Sequence, residues 1–233
     1  MAQNPYQAPP VPMEAPKTGD SYSFRPLKTL ALAITIFMSI FVAAVISVSV
    51  VDTIAASMYP NFTNPAAEVS DQTELNFVYI SFGFAIVSGL AHIVLIVLVC
   101  TFLYRANANL RTHGHELEYT PGWCGGWWFV PIMNLFKPYY CTKEIYITSH
   151  ASATAEDAKL SPLSQDSGTS LLTFWWALWL ITTFIGLIES RLAIRGTDIG
   201  EMALPLNWAS TVTSAGAGIL LVFIVCRIKR WQS

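Results

Sequence analysis

The chain has 233 residues, of which 53% are hydrophobic and 12% charged, with a formal net charge of −2. That balance, with a positive mean hydropathy, belongs to a membrane protein and excludes an ordinary soluble domain. No basic stripe points to nucleic acid as a partner, and the four cysteines follow neither a disulfide nor a zinc spacing, so no cofactor or metal is expected.

Residues 1–23 contain five prolines and no apolar period, which predicts a disordered tail. A solvated leader explains this tail more simply than a docking peptide. Between Lys28 and Asp52 lie 23 uncharged residues. As a helix they would reach about 34 Å, enough to cross a bilayer core of about 30 Å. The run exceeds the central region of a signal peptide, so it reads as an uncleaved anchor. A second apolar run, Leu75 to Tyr104, is broken only by His92. Ionisable groups at that depth are functional by default. With no acidic residue beside it, His92 is expected to be a neutral imidazole sharing hydrogen bonds with Thr35 or Ser39. Asp52, near the outer end of the first run, is expected to reach out to water.

Beyond the second run, His113, His115, Glu116 and Glu118 form a polar knot. Their spacing matches no metal template and suits a hydrophilic turn. Then comes the most distinctive stretch, Pro121 to Tyr139, with three of the eight tryptophans, three prolines and three glycines. No charge interrupts the 18 residues between Glu118 and Lys137. Pro131 and the Gly125–Gly126 pair forbid a plain spanning helix there. The segment is expected to be a re-entrant or interfacial insert over residues 119–150. Its backbone must be satisfied by neighbouring protein, a cavity or the interface. Pro138 opens a short amphipathic helix to Ser149, and Ser152 to Ser170 reads as a polar linker. Third and fourth apolar runs cover Ser167 to Ile188 and Met202 to Cys226. The reading is therefore an all-α membrane protein over residues 24–233, with four transmembrane helices at about 28–56, 75–104, 169–189 and 205–227. The Trp/Pro-rich insert lies between the second and third.

Lys and Arg set the orientation. Placing both termini in the cytoplasm puts eleven basic residues inside and two outside. A spanning insert would make the tally seven against six and leave no bias. Each helix also carries small residues four apart, such as Ser81, Ala85 and Gly89, or Ser214 and Gly218. These stripes are expected to pack the bundle internally.

The residues Arg105-Ala-Asn-Ala-Asn109-Leu110, Pro121-Gly-Trp123, Gly126-Trp-Trp-Phe-Val-Pro131, Asn134-Leu135 and Lys137-Pro-Tyr139, followed by Glu144, resemble the bacterial "domain of unknown function 4328" family. The cluster Trp175, Trp176 and Trp179 is similar to it too. The resemblance runs from about Leu75 to the end of the fourth helix. Tyr140 and Tyr146 depart from it, standing where glutamine and tryptophan are usual. The resemblance implies a multipass protein of the bacterial inner membrane and brings no activity with it.

The candidate motif is Arg105, Asn109, Pro121, Trp123, Trp127, Trp128, Pro131, Asn134, Pro138 and Glu144, with His92 as the intramembrane polar residue. Arg105 and Asn109, one turn apart, are expected to donate to carbonyls freed around Pro131, with Arg111 farther out on a polar loop. No phosphate loop, nucleophile elbow or carboxylate pair supports an enzyme. The reading is a non-enzymatic membrane interaction or scaffold module, with the lipid bilayer and other membrane proteins as partners. The alternative is a small-solute transporter or channel gated by the insert; the third is a lipid-acting membrane enzyme. Transport requires polar side chains converging from several helices near the midplane.

Overall fold

A computed structural model of the chain describes residues 22–59, 61–62, 67–157, 169–195 and 202–233. Residues 1–21 of the expected tail and 158–168 of the expected linker lie outside them. The described residues form helices and turns with no strand. Six helices follow in order: α1 (Lys28–Met58), α2 (Gln72–Thr112), α3 (Pro121–Gly126), α4 (Lys137–Asp157), α5 (Thr169–Ile194) and α6 (Ala203–Trp231). Four of them, α1, α2, α5 and α6, are long and apolar enough to cross a membrane. The Trp/Pro stretch is broken as its composition requires. After α3 come two single 3₁₀ turns, Trp127–Phe129 and Met133–Leu135, and then α4.

The four long helices form a row. α1 packs on both α2 and α6, and α6 packs on both α1 and α5, which leaves α2 and α5 as the two ends. Large apolar side chains such as Leu32, Ile36, Phe82, Leu90, Ile93, Phe174 and Phe184 lie on the outside, as a bilayer solvent demands. The deepest packing gathers at the end where α3 and α4 join the bundle. Phe102, Leu110, Ile145, Tyr146, Leu172, Trp175, Ile224 and Ile228 are all fully buried there.

Helix ends follow local chemistry. Asp71 caps α2, its Oδ1 accepting from the backbone N–H groups of Glu74 (2.9 Å) and Thr73 (2.8 Å). The Glu74 amide and the Tyr59 hydroxyl hold the Asp71 carboxyl below its ordinary range. α2 runs on past Tyr104 to Thr112, so the polar residues after Tyr104 are helical. It stops where Gly114, at φ +82°, closes a Schellman turn. The N–H of Gly114 donates to the Arg111 carbonyl, and that of His115 to the Leu110 carbonyl. The His-Gly-His knot is thus a helix terminator; His115 then meets Ser152 Oγ at 2.7 Å.

α4 continues to Asp157, into the stretch expected to be linker. Its face of Cys141, Thr142, Ile145, Tyr146 and Ser149 is buried. It packs on α2 and α6, so its amphipathic face is spent largely on protein. Tyr146, one of the departures from the family pattern, receives a 2.8 Å hydrogen bond from Arg227 and meets the Trp231 ring edge-on. A tryptophan there would lack the acceptor oxygen that Arg227 uses.

Asp52 does not simply reach water. It is half-buried and accepts from Ser81 Oγ (2.6 Å) and Asn207 Nδ2 (3.1 Å). Asn207 in turn accepts from Ser49, which also bonds Thr211. This cluster ties α1, α2 and α6 together at the end opposite α4.

The small-residue stripes behave unequally, against the expectation of internal packing for all four. A Cβ on Gly218 would stand 2.6 Å from Met38 Sδ, so this glycine sets the α6–α1 approach. Gly89 on α2 and Gly186 on α5 have open space instead. Gly218→Leu should therefore destabilise the detergent-solubilised protein by about 1–3 kcal/mol through overpacking. Gly89→Ala should gain up to about 1 kcal/mol of helix propensity. Thermal denaturation followed by circular dichroism separates them; equal shifts would contradict this packing.

Candidate functional site

The insert forms the floor of the site, and its attachment begins just before Pro121. Residues 117–119 run as irregular chain whose backbone groups find no partner in a helix. Arg111 Nη2 donates to the carbonyls of Leu117 (2.8 Å) and Tyr119 (3.1 Å), and Asn107 Nδ2 donates to Tyr119 (2.8 Å). Arg111 Nε bonds Asn107 Oδ1 at 3.1 Å, so the two side chains, one helical turn apart, act together. From the other side, the Glu144 carboxylate accepts from the N–H groups of Glu118 (2.5 Å) and Tyr119 (3.3 Å). α2 thus holds the carbonyls and α4 the amides of one short segment. Charge-assisted bonds of this kind are among the stronger ones.

This arrangement corrects the expectation for Arg105 and Asn109. Among the described residues, neither side chain hydrogen-bonds the insert. Asn109 is fully buried and bonds the backbone of Arg25 and the side chain of Gln232. Arg105 lines a separate small pocket. Because α2 stays helical to Thr112, Arg111 lies one turn beyond Asn107 on the same face, and the face carrying 105 and 109 points elsewhere. The residues missed in the sequence, Asn107 and Arg111, carried a usable signal: an amide and a guanidinium four apart, ahead of a donor-hungry segment.

Pro121 starts α3, with Thr120 as its N-cap, and both Pro121 and Cys124 are buried against the bundle. Cys124 Sγ accepts from Asn107 Nδ2 at 3.3 Å. The neighbouring Cys141 thiol is pushed well up, first by contact with Cys124 and then by burial, so it stays protonated at neutral pH. Gly125 permits the close approach to α2, since a Cβ there would stand 3.3 Å from Cys100 Cβ. Trp123 stacks on Trp127 at 4.3 Å, and Lys137 reaches over the rings of Tyr119 and Trp127. Pro131 ends the first 3₁₀ turn. Ile132 takes φ +68° and ψ −51°, and the Met133 N–H donates to the Pro131 carbonyl at 2.8 Å. This is a γ-turn of the rare, strained hand, occupied here by a β-branched residue. Pro138 lies in the first turn of α4, where its missing donor costs nothing.

Trp128 leaves the insert toward α5, meeting Trp176 and Trp179 edge-on at 6.0 and 5.5 Å. Trp176 and Trp179 stack on each other, and Trp176 Nε1 donates to the Leu135 carbonyl at 3.2 Å. Above this aromatic floor lies a cavity of about 490 Å³ bordered by all four long helices. Its lining is mostly apolar, from Met38, Phe41, Leu95, Trp175, Trp179 and Leu221 among others. Polar groups reach it from three directions: His92 on α2, Thr182, Thr183 and Ser214 on α5 and α6, and Asn134 on the insert.

Their bonding states differ. Thr182, Thr183 and Ser214 donate to carbonyls of their own helices. His92 does not bond Thr35 or Ser39 as expected, because both hydroxyls turn back to carbonyls within α1. Its ring lies against Phe41 with centroids 5.5 Å apart, and it makes no hydrogen bond among the described residues. The buried Nε1 of Trp128 and Oδ1 of Asn134, on two residues that line the cavity, also lack protein partners, as does Nε1 of Trp127, which does not line it. The Trp128 atom is a donor and the Asn134 atom an acceptor.

The clamp makes a direct prediction. In a chain retaining only Cys124, maleimide labelling in intact membranes should be slow in the parent and in Arg105→Ala. Arg111→Ala and Asn107→Ala should label several-fold faster, since the first leaves the Leu117 carbonyl without its donor, at about 1–3 kcal/mol, and the second removes one donor to Tyr119 and the acceptor that orients Arg111. Fast labelling in Arg105→Ala alone would restore the expectation corrected above.

No curated protein and no solved structure matches this chain. The family profile described as Domain of unknown function (DUF4328) matches residues 64–230, a span that takes in α2, the insert, α4, α5 and α6 and leaves out α1. With the clamp, the tryptophan floor and the Pro131 turn all inside that span, the chain belongs to the DUF4328 family.

Proposed function

We propose that this protein is a non-enzymatic membrane module that takes a small amphiphile from the bilayer into the cavity beside His92, with the Trp/Pro insert as its floor. One observation carries the reading. Trp128 and Asn134, whose Nε1 and Oδ1 are buried without protein partners, both contribute to the wall of a largely apolar cavity. Leaving such groups unpaired costs about 1–3 kcal/mol each, a cost a bound hydroxyl or amide would remove once the two side chains rotate toward the cavity, by accepting from one and donating to the other. A volume of about 490 Å³ falls within the range of small-molecule sites. The apolar walls suit a hydrocarbon chain, and the gap between the row's two end helices, α2 and α5, supplies an entrance from lipid. The convergence of polar groups from α2, α5, α6 and the insert favours ligand handling over a purely mechanical scaffold. Transport by movement of the insert is the second reading, favoured by the strained turn at Ile132.

A monoacylglycerol brominated in mid-chain tests the proposal, because four tryptophans surround the floor. Quenching of tryptophan fluorescence in detergent should saturate near one equivalent. Thr183→Phe, which fills the cavity, should abolish the saturable part, and Asn134→Leu should weaken it on the order of ten-fold. Linear quenching, identical in parent and Thr183→Phe, would reject the site.

Both termini are proposed to lie in the cytoplasm, on the strength of the eleven-to-two distribution of Lys and Arg. Topology reporters fused after Asn64, Ala155 and Ser233 should report outside, inside and inside. An outside signal after Ala155 would overturn that orientation.

A further inference from the structure

Arg105 belongs to the motif that marks the family, yet nothing in the insert uses it. Its guanidinium pairs with no carboxylate among the described residues, nor does that of Arg25. The two are brought to one place by Asn109. Its amide Oδ1 accepts from the Arg25 N–H at 2.9 Å, and its Nδ2 donates to the Arg25 carbonyl at 2.9 Å. Asn109 is itself buried and lies one helical turn beyond Arg105, so this two-way bond fastens the chain before α1 onto the Arg105 face of α2. A neutral amide therefore brings two arginine-bearing segments to one place. Both arginines line a pocket of about 170 Å³, together with Tyr22, Ser23, Tyr104 and Asn109.

Among the described residues the lining offers two arginines and hydroxyl groups and no carboxylate, which is the chemistry of oxyanion recognition. Two permanent cations on the residues of one pocket favour an anion of more than one charge. The volume suits a single tetrahedral group and is too small for a nucleotide. Tyr104, exposed, lines the pocket where α2 leaves its apolar stretch, the level at which aromatic side chains meet headgroups. We infer that this pocket binds a phosphate group, presented by a lipid headgroup or as the free ion. The site is separate from the cavity beside His92 and does not depend on it.

Native mass spectrometry of the detergent-solubilised full chain tests this with dioleoyl phosphatidic acid, dioleoyl phosphatidylcholine and inorganic phosphate. Phosphatidic acid should bind with one saturable equivalent and in preference to phosphatidylcholine. Arg25→Gln and Arg105→Gln should each weaken it on the order of ten-fold, and Arg230→Gln, outside the pocket, should not. Arg105→Lys, which keeps the charge and loses the fork, should bind several-fold more weakly than the parent and guards against a folding defect in the glutamine variant. This pattern with the lipid identifies a headgroup site; the same pattern with inorganic phosphate and no lipid preference identifies the free ion. Equal affinity of parent, Arg25→Gln, Arg105→Lys and Arg105→Gln for every probe would overturn the inference.

Discussion

The short bonds that fasten residues 117–119 between α2 and α4 are what the remainder of this structure depends on. A segment as apolar as the Trp/Pro insert gains by leaving water, but its prolines and glycines prevent it from satisfying its own backbone. The protein meets that conflict at the root of the segment. Arg111 and Asn107 supply donors to the carbonyls, and Glu144 supplies acceptors to the amides. With the entry fixed, α3 can lie against Cys100 through Gly125, and Trp128 can reach the tryptophans of α5. The insert thereby bridges the two ends of a helix row that lack extensive direct packing on each other.

That bridge explains where the bundle is tight and where it is open. At the end opposite α4, Asp52, Ser49, Ser81, Asn207 and Thr211 tie three helices by hydrogen bonds. At the end bearing α4, aromatic packing and the clamp close the structure. Between them the helices border a cavity, and the residues that line it include His92, Trp128 and Asn134, none of which the protein satisfies completely. Interiors are ordinarily packed densely and buried polar groups paired, and the proposed ligand site rests on this combination of departures.

The segments just before α1 and just after α6 take part in the same end of the molecule. Asn109 holds Arg25 before α1, while Gln232 after α6 bonds the Ala106 carbonyl, Ser149 and Asn109. α1 lies outside the stretch matched by the family profile, yet Asn109, inside that stretch, fixes its entry. The polar core at this end is thus built from α2, α4 and both terminal segments. It holds the basic residues Arg25, Arg105, Arg111 and Arg227 in distinct environments: two spent on internal bonds and two left facing a pocket or solvent.

Much of the architecture was legible from residue order alone, because the bilayer imposes length and composition on each spanning helix. The four apolar runs, the refusal of Pro121–Tyr139 to form a fifth, and the family itself all rest on local features: charge-free length, proline, glycine and a distinctive motif. The helix ends were less legible, since a polar sequence such as Arg105 to Thr112 hides a continuing helix whose stop is set by Gly114. Side-chain partners were legible only as a spacing, an amide and a guanidinium four apart, without the means to choose between two such pairs. Which of Arg105, Asn107, Asn109 and Arg111 meets the insert turns on helix phase, at about 100° per residue. The cavity beside His92 arises only when four helices and the insert assemble, because an enclosed space has no counterpart in any single segment. Residue order determined that this chain enters the membrane and where it must break; the tertiary structure decided which polar groups close that break and which are left without a partner, because pairing depends on how separate helices are brought together.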